Sequence, residues 1–313
     1  MQIFVSGSLA YDRIMDFPEK FSDHILPDKI HMLNVCFLVN GIKEQFGGTA
    51  GNIAYNLALL GEKPMILACA GKDFDSYESW LRGLGLPLDG IRRVPEEFTA
   101  GAYITTDKAD NQITGFNPGA MKHPCLYQID GTAPEDALAI IAPGNTDDML
   151  TYSRIYKRKQ IPYIFDPGQQ VPVLSSENMV EMITGSKLFI SNDYELEMVM
   201  RATGLRKSEI LQRTPAVITT LGERGAIVST KDGDREIASA TPRDVKDPTG
   251  AGDAFRAGLI KGLTMGKDLS ESALMGSVCA SFGVECRGTQ CHRFSLQDFW
   301  ERHKACFGER CSC

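Results

Sequence analysis

The chain has 313 residues, of which 43% are hydrophobic and 23% are charged, and this is the composition of a globular protein. Such a length fits either two modest domains or one large α/β domain with an appendage. The net charge of −7 argues against a general surface for nucleic acid or anionic membranes, because those surfaces need clustered Lys and Arg. We therefore expect no nucleic-acid partner and no membrane partner.

Nothing in the sequence predicts export or a membrane span. The apolar segment at the start of the chain is followed by charged residues at positions 12 and 13, and it lacks the basic segment that precedes the apolar part of a signal peptide. The longest apolar runs are far shorter than the roughly 18 residues that a membrane helix needs. The number of cysteines is odd, and four of them stand alone in the sequence, so we expect reduced thiols and a cytoplasmic location.

The predicted elements begin with a short buried strand at residues 2–6. Residues 31–40 are rich in Val, Leu and Phe and predict exposed antiparallel strands, whereas residues 47–61 predict a helix with one apolar face. Short apolar strands then alternate with helices, which indicates βαβ units and a mainly parallel sheet covered by helices. The predicted strands of this part are 65–70, 139–142, 163–165, 188–191 and 216–219, and the predicted helices are 76–84, 149–159, 178–184, 194–202 and 254–263.

Two β-rich insertions interrupt the alternation. Residues 100–106 and 111–115 predict a hairpin around a Lys-Ala-Asp turn. We expect the insertions to form one small sheet, a lid made of about residues 11–45 and 95–116. The α/β body would then comprise about residues 1–10, 46–94 and 117–313.

The strongest motif is Asp-Pro-Thr-Gly-Ala-Gly-Asp-Ala-Phe at residues 247–255, which leads into the apolar helix predicted at 254–263. Glycines at a helix start let backbone N–H groups converge, and these groups together with the helix dipole make an anion site. A carboxylate repels a phosphate, so Asp253 makes sense there as a base that takes a proton from an attacking hydroxyl. The structural alternative is a Gly-rich turn with Asp253 as a first-turn helix acid.

A second Gly-rich segment, Gly-Gly-Thr-Ala-Gly-Asn at residues 47–52, also opens a helix. Its small residues let a ligand approach the backbone, and Asn52 offers both a donor and an acceptor to a hydroxyl. Asp12 follows the first strand, where its carboxylate could accept two hydroxyl hydrogen bonds. The structural alternatives are a helix N-terminus with packing glycines and a capping or surface Asp.

Two weaker motifs follow predicted strands. The turn at residues 219–225 has amides and a Thr220 hydroxyl that could hold nucleotide phosphates, although many hairpins contain such a turn. Asn192 and Glu195 lie at i and i+3 across a helix start, where they can share the hydration shell of Mg²⁺. A capping box gives the same pattern. The sequence has no P-loop and no Gly-x-Gly-x-x-Gly after the first strand, so it lacks the motifs that usually indicate a P-loop NTPase or a dinucleotide-binding enzyme.

Together and in this order, the motifs resemble the ribokinase-like (PfkB) carbohydrate kinases, from residue 7 to about residue 294. The resemblance implies an α/β fold with a Rossmann-type three-layer body, a mainly parallel sheet and a small β-sheet lid. It also implies ATP with Mg²⁺ as the phosphoryl donor, and often a monovalent cation such as K⁺. On the same resemblance, Asp253 is the catalytic base, and Gly250, Ala251 and Gly252 form the anion hole.

The resemblance also assigns the binding residues. Pro248 departs from the family pattern, which usually has Thr or Asn there, and it donates no amide. No basic residue is assigned to the γ-phosphate, and Arg93 and Lys122 are only candidates. The implied sets are Asp12, Gly47, Gly48 and Asn52 for the acceptor, Asn192, Thr220, Gly222 and Gly225 for the nucleotide, Glu195 for Mg²⁺ through water, and Asp247 for a monovalent cation.

Three segments, at residues 115–120, 165–170 and 288–292, look more like bacterial adenosine and nucleoside kinases than like ribokinase or fructokinase. They favour phosphorylation of adenosine to AMP, with the base of the nucleoside against Phe116 and Met121. A sugar kinase of the ribokinase or fructokinase type and a non-catalytic nucleoside or sugar sensor are the alternatives. The sequence leaves open a monomer or a homodimer.

Five cysteines lie near the end of the chain, at positions 286, 291, 306, 311 and 313. A structural zinc site usually contains a Cys-x-x-Cys pair, and none is present among them. We therefore expect incidental thiols in a last strand and a loose tail rather than a zinc site.

Overall fold

The computed structural model describes residues 1–308, which form a large sheet, a small sheet and flanking helices. The strands are β1 (Gln2–Ser6), β2 (Ala10–Asp16), β3 (Ile42–Gly47), β4 (Met65–Ala70), β5 (Ile91–Arg93), β6 (Ala100–Thr106), β7 (Gln112–Asn117), β8 (Ala137–Ile141), β9 (Tyr163–Phe165), β10 (Leu188–Asn192), β11 (Ala216–Thr220), β12 (Ala226–Thr230) and β13 (Gly233–Ile237). The helices are α1 (Thr49–Leu59), α2 (Asp75–Gly83), α3 (Thr146–Lys159), α4 (Ser176–Ile183), α5 (Asp193–Thr203), α6 (Lys207–Ile210), α7 (Ala251–Thr264), α8 (Leu269–Gly283) and α9 (Leu296–Phe307).

The large sheet has the strand order β13-β12-β11-β10-β9-β8-β1-β4-β5. Neighbouring strands from β5 to β11 are parallel, and the β11–β12 and β12–β13 pairs at one edge are antiparallel. The prediction of a mainly parallel sheet is therefore confirmed. From β1 the chain reaches β4 on one side and later β8 on the other, so a crevice opens beyond the carboxyl ends of these strands. Ligands of open α/β sheets bind at this switch point.

The small sheet has the order β3-β2-β6-β7, in which β2 and β6 are parallel and the other two pairs are antiparallel. Its strands come from both predicted insertions, so the expected single small sheet is present. Ala10 pairs with Gly47 and with Ala100 at the end of the sheet next to β1. The small sheet thus starts at the carboxyl edge of the large one, above the crevice.

Alternate residues of the large sheet face two separate apolar layers. In β1, Ile3 and Val5 belong to one core and Phe4 belongs to the other, as the two-residue period of a strand requires. The first core includes side chains from α1, α2, α7, α8 and α9, and the second includes side chains from α3, α4 and α5. Helices therefore cover both faces of the sheet. None of the helices within residues 1–308 is long and apolar enough to cross a membrane.

Residues 31–40 contain no strand, so the prediction for this segment is wrong. The segment contains the end of a 3₁₀ turn (Pro27–Met32) and then irregular backbone. A strand needs a hydrogen-bonded neighbour, and β2 is already paired on both sides, by β3 and β6. Phe37 packs instead against Phe17 and Phe21, with ring centres 4.8 and 4.9 Å apart, and Leu38 is left 86% exposed.

The expectation of free thiols in a last strand is also wrong for two cysteines. Cys286 and Cys291 are joined in a disulfide, and they lie in irregular backbone after α8 rather than in a strand. The turn at Gly288, with φ +105°, brings their Cα atoms to 6.2 Å, an ordinary separation for a disulfide. Cys311 and Cys313 lie outside the described residues. Within residues 1–308, no group of three His, Cys, Asp or Glu side chains could hold a metal ion.

Candidate active site

A cleft of about 310 Å³ lies beyond the carboxyl ends of β9, β10 and β11, next to the N-termini of α1, α5 and α7. The topology explains the position, because parallel strands end at one edge and the helices that follow them begin there. Seven of the residues singled out in the sequence line this cleft, namely Asn192, Glu195, Thr220, Gly222, Gly250, Gly252 and Asp253.

Asp253 lies in the first turn of α7, and its Oδ2 accepts a hydrogen bond of 2.8 Å from Nδ2 of Asn52. Burial raises the pKa of this carboxyl to about 7, although the Asn52 hydrogen bond and the Arg256 charge act to lower it. The nearby charges of Asp166 and Glu195 add to the rise. Asp253 is therefore a carboxyl group that can take up a proton close to neutral pH.

The N-terminus of α7 has the features of an anion site. Gly250 precedes the helix in a left-handed conformation with φ +78°, and no side chain caps the helix. A Cβ at Gly250 would lie 2.8 Å from Cγ2 of Thr289, so both the backbone angle and the space require glycine. The first-turn N–H groups of an uncapped helix carry partial positive charge and accept anions well. Gly250, Ala251 and Gly252 thus fit the chemistry of a phosphate.

A buried ion pair lines the same cleft as Asp253. Arg256 donates to both carboxylate oxygens of Asp166, at 2.5 and 3.0 Å, and to the carbonyl oxygen of Gly252 at 3.1 Å. The two charged side chains are only 7% and 3% exposed. This pair was not found from the sequence. The available signal was an arginine near the start of a largely apolar helix, where a buried charged side chain needs a partner.

The two basic residues considered for the γ-phosphate lie elsewhere. Arg93 pairs with Asp75 and Glu78, and its guanidinium stacks on Phe74. Nζ of Lys122 is 3.7 Å from a carboxylate oxygen of Glu97. Neither lines the cleft, whereas Arg256 does, and its charge acts on Asp253.

Asn192 and Glu195 form the capping box that was the structural alternative in the sequence. Oδ1 of Asn192 accepts from the N–H of Glu195 at 2.7 Å, and Oε2 of Glu195 accepts from the N–H of Asn192 at 2.9 Å. Oε1 of Glu195 makes no hydrogen bond within residues 1–308. Burial raises the pKa of Glu195. Because this free oxygen belongs to a side chain that lines the cleft, the pair also fits the hydration shell of Mg²⁺.

Asp12 lies beside the start of the second Gly-rich segment. A Cβ on Gly47 would be 2.7 Å from Oδ2 of Asp12, so glycine is needed for this close approach. The carboxylate of Asp12 makes no hydrogen bond or ion pair with any other described residue. Burial raises its pKa, and the charge of Asp247 raises it further. A partly buried carboxylate without a partner fits the hydroxyl groups of a ligand.

Polar side chains connect the second Gly-rich segment to Asp253. The hydroxyl of Tyr77 donates to the carbonyl oxygen of Gly47 at 2.8 Å and accepts from Nε2 of Gln290 at 2.6 Å. Nε2 of Gln290 also donates to Oδ1 of Asn52 at 3.1 Å. Asn52 thus contacts Asp253 directly, and Gly47 is linked to it through Tyr77 and Gln290. Gly48 lies between Gly47 and Asn52 in the chain and precedes α1. The sequence did not identify Tyr77 and Gln290 as members of this network.

Three other predicted residues lie outside the cleft. Burial acts to raise the pKa of Asp247, but hydrogen bonds from the side chain and backbone of Thr249 and from the backbone of Gly288 lower it below its usual value. Both carboxylate oxygens of Asp247 therefore already have donors. Phe116 is 54% exposed on β7, and Met121 lines a small separate cavity. The assigned roles of Asp247, Phe116 and Met121 stay predictions.

A second cleft of about 430 Å³ adjoins the first and shares Thr220, Gly222 and Gly252 with it. Gly225, expected at a nucleotide, also lines it. Most of its other walls are apolar and come from α7, α8 and the chain between β13 and α7. Such walls fit a flat aromatic ring, whereas the first cleft presents carboxylates and helix amides. Wall residues that the sequence did not reveal are Pro242, Val245, Phe255, Ala280 and Val284.

Sequence comparison identifies close relatives for nearly the whole chain. The model of the pfkB family of carbohydrate kinases matches residues 13–293. A nucleoside kinase of Methanocaldococcus jannaschii is 33% identical over 260 residues, which cover 82% of this chain and 85% of that protein.

Solved structures agree with this assignment. A nucleoside kinase of Burkholderia thailandensis in complex with inosine has a TM-score of 0.86 and 34% sequence identity, covering 98% of each chain. The crystal structure of a Methanocaldococcus jannaschii nucleoside kinase, described as an archaeal member of the ribokinase family, has a TM-score of 0.87 and 31% identity, with 97% of this chain and 99% of that chain covered. The predicted ribokinase-like α/β fold is confirmed, and the chain belongs to the pfkB family of carbohydrate kinases.

Proposed function

We propose that this kinase transfers the γ-phosphoryl group of ATP to the primary hydroxyl of a nucleoside, with adenosine as the preferred acceptor and Asp253 as the general base. The observation that carries the proposal is the position of Asp253. Its carboxyl, with a pKa of about 7, lies at the uncapped N-terminus of α7, so a base and an anion site adjoin each other. The relatives described above are nucleoside kinases by name, which supports a nucleoside as the acceptor.

In this mechanism the acceptor hydroxyl faces a carboxylate oxygen of Asp253. Asn52 donates to Oδ2, so Oδ1 is the oxygen available to the hydroxyl. The hydroxyl loses its proton to Asp253 while its oxygen forms the new bond to phosphorus, and ADP leaves with the electrons of the broken P–O bond. The loose transition state requires mainly positioning and charge stabilisation, which the first-turn amides of α7 provide.

The two adjoining clefts suit the two ends of ATP. The apolar cleft would take the adenine ring against Phe255, Ala280 and Val284, and the polar cleft would take the phosphates near Gly250 and Thr220. Bound Mg²⁺ would neutralise phosphate charge, with its water shell held by Asn192 and Glu195.

The acceptor contacts explain why a nucleoside should be preferred to a bare sugar. Asp12 has a carboxylate without a partner in the described structure, which suits the ribose hydroxyls. A nucleoside adds an aromatic base, and the exposed ring of Phe116 is the surface that we assign to it when the small sheet closes over the acceptor. Burial of that base can contribute about 2–3 kcal/mol, which corresponds to a factor of about 30–150 in rate or affinity.

Competition kinetics test this proposal. The enzyme is given ATP and Mg²⁺ with equimolar adenosine and fructose, then with adenosine and ribose, and the phosphorylated products are quantified by mass spectrometry. We expect kcat/KM for adenosine to exceed that for either sugar by at least about 10²-fold. Inosine and cytidine in the same assay define how strictly the base is recognised.

A preference for ribose or fructose would overturn the nucleoside assignment and favour a sugar kinase of the ribokinase or fructokinase type. No product with any acceptor, combined with binding of adenosine in calorimetry, would favour a non-catalytic sensor. Asp253→Asn is the matched control, because it keeps the size of the side chain and removes the base.

A further inference from the structure

A chain of side-chain hydrogen bonds runs from Trp80 in α2 to Asp253 in α7. Nε1 of Trp80 donates to Oε1 of Gln290 at 2.9 Å, Nε2 of Gln290 donates to Oδ1 of Asn52 at 3.1 Å, and Nδ2 of Asn52 donates to Oδ2 of Asp253 at 2.8 Å. Gln290 and Asn52 are only 7% and 5% exposed, so water does not readily replace these partners. The links connect residues that are far apart in the sequence.

The chemistry of the first donor fixes the direction of every link. An indole N–H can donate but cannot accept, so the amide of Gln290 must present its oxygen to Trp80. Its nitrogen then faces Asn52, which must present its own oxygen to Gln290 and its nitrogen to Asp253. Tyr77 supports the same direction, because its hydroxyl donates to Gly47 and is left to accept from Gln290.

The direction matters because an amide can face a carboxyl group in two ways. With its nitrogen toward Asp253, Asn52 stabilises the ionised carboxylate, which is the form that can accept a proton. With its oxygen toward Asp253, Asn52 would instead accept from the protonated acid. The orientation of one amide thus selects between the active and the inactive form of the base.

We propose that Trp80 is a positioning residue that, through Gln290, holds the Asn52 amide in the orientation that keeps Asp253 ionised. Trp80 touches neither Asp253 nor the first cleft. The inference rests on the proposed function, because it takes Asp253 as the base. The other charged groups around Asp253 are Arg256 on its own helix, Asp166 after β9 and Glu195 in α5, and none of them belongs to the Trp80 chain.

The test uses Trp80→Phe, which removes the N–H but keeps a ring to stack on Phe46 and Tyr55. We expect kcat at pH 6.5 to fall about threefold to tenfold, with little change in KM. Since loss of the Asn52 donor raises the pKa of Asp253, the ratio of parent kcat to variant kcat should approach one at pH 9. A loss that stays the same at every pH would show a role in packing only and would overturn the proposal.

A double-mutant cycle separates positioning from packing. Gln290→Met removes the middle link, so we expect Trp80→Phe to have no further effect on kcat in the Gln290→Met background. Multiplication of the two single losses in the double variant would overturn the proposal. Trp300→Phe, in α9 and away from the clefts, is the matched control and should leave kcat and its pH profile unchanged.

A second measurement needs no turnover, so it separates this inference from the proposed function. The carboxyl of Asp253 can be titrated by ¹³C NMR of protein labelled at aspartate Cγ, with Asp253→Asn to assign the signal. A higher pKa in Trp80→Phe than in the parent supports the inference even if no acceptor is phosphorylated. An unchanged pKa would overturn it even if the enzyme proves to be a nucleoside kinase. This NMR titration also tests the positioning role of Trp80 if Gln290→Met fails to fold.

Discussion

Replacement of Asp253 by asparagine should stabilise the fold while it abolishes most of the activity. In the unfolded chain this carboxyl ionises near pH 3.8, and in the folded protein it ionises near pH 7 because partial burial disfavours its charged form. Between these values the folded protein binds a proton that the unfolded chain has lost. Ionisation of Asp253 therefore destabilises the fold increasingly as the pH rises from about 4 to about 7.

The size of the effect follows from the pKa values. A rise from 3.8 to about 7, at 1.36 kcal/mol for each pH unit, corresponds to about 4 kcal/mol. Because the side chain is partly exposed, solvent screens part of this penalty, and we expect a gain of about 2 kcal/mol at pH 8. The asparagine keeps an oxygen that can accept from Asn52, so the hydrogen bond at this position survives.

Urea denaturation of parent and Asp253→Asn between pH 5 and pH 8.5 measures the gain. We expect the free energy of unfolding of the variant to exceed that of the parent at pH 8, with about half of the gain at pH 5.5. Under the proposed function, kcat should fall by about 10²–10⁴, the usual contribution of a positioned base. Asp147→Asn, which removes an exposed carboxylate from the first turn of α3, is the control and should give no such pH-dependent gain.

Two outcomes would refute this reasoning. A variant that is less stable than the parent at pH 8, or equally changed at every pH, would show that Asp253 is not a desolvated carboxylate. A kcat within a few-fold of the parent would show that Asp253 is not the base, whatever its effect on stability.

Three further predictions concern Asp12, Asp166 and the apolar cleft. Asp12→Ala should raise KM for the acceptor more than it lowers kcat, because the lost hydroxyl contact exists in the ground state as well as in the transition state, and an unchanged KM would remove Asp12 from the site. Asp166→Asn should lower the free energy of unfolding by about 3–5 kcal/mol, because the Arg256 charge is left buried and unpaired. Because the Asp166 charge raises the pKa of Asp253, its loss should also move the acid limb of the pH profile of kcat to lower pH. Ala280→Phe should fill the apolar cleft, so we expect KM for ATP to rise about tenfold while KM for the nucleoside is unchanged. Equal changes in both KM values would contradict the assignment of that cleft to the adenine ring of ATP.

Local sequence patterns predicted most of the fold because each depends on neighbouring residues. The segment at 47–61 became α1 (Thr49–Leu59), and the strand at 100–106 was predicted with the bounds of β6. Residues 31–40 have the composition of strands but form none, because strand formation depends on a partner that local composition does not reveal. A propensity for β structure was therefore insufficient where both edges of β2 were already taken.

The candidate site was predictable where its residues lie in one motif and not where distant segments meet. Asp253 and Gly250 stand in a contiguous signature, whereas Arg256 and Asp166 are 90 positions apart. Gln290 and Asn52 are 238 positions apart, and their hydrogen bond exists only once β1 and α1 have packed against the chain that follows α8. The sequence segments that contain Asp166 and Gln290 were noticed for their resemblance to nucleoside kinases, but their contacts could not be derived from spacing.

The charge balance of the cleft also bears on how an acidic chain could bind a polyphosphate. Asp253, Asp166 and Glu195 line it, and Arg256, which also lines it, is already paired with Asp166. Burial is the main cause of the raised pKa of Asp253, and the charges of Asp166 and Glu195 raise it further. Under the proposed function, carboxylates that would repel a phosphate thus also contribute to the strength of the base. Under the proposed function, attraction of the phosphoryl donor would come from the amides of the α7 N-terminus and from a divalent cation rather than from lysine or arginine. A site of this kind does not depend on the net charge of the protein, which is why a chain with a charge of −7 can still be a kinase.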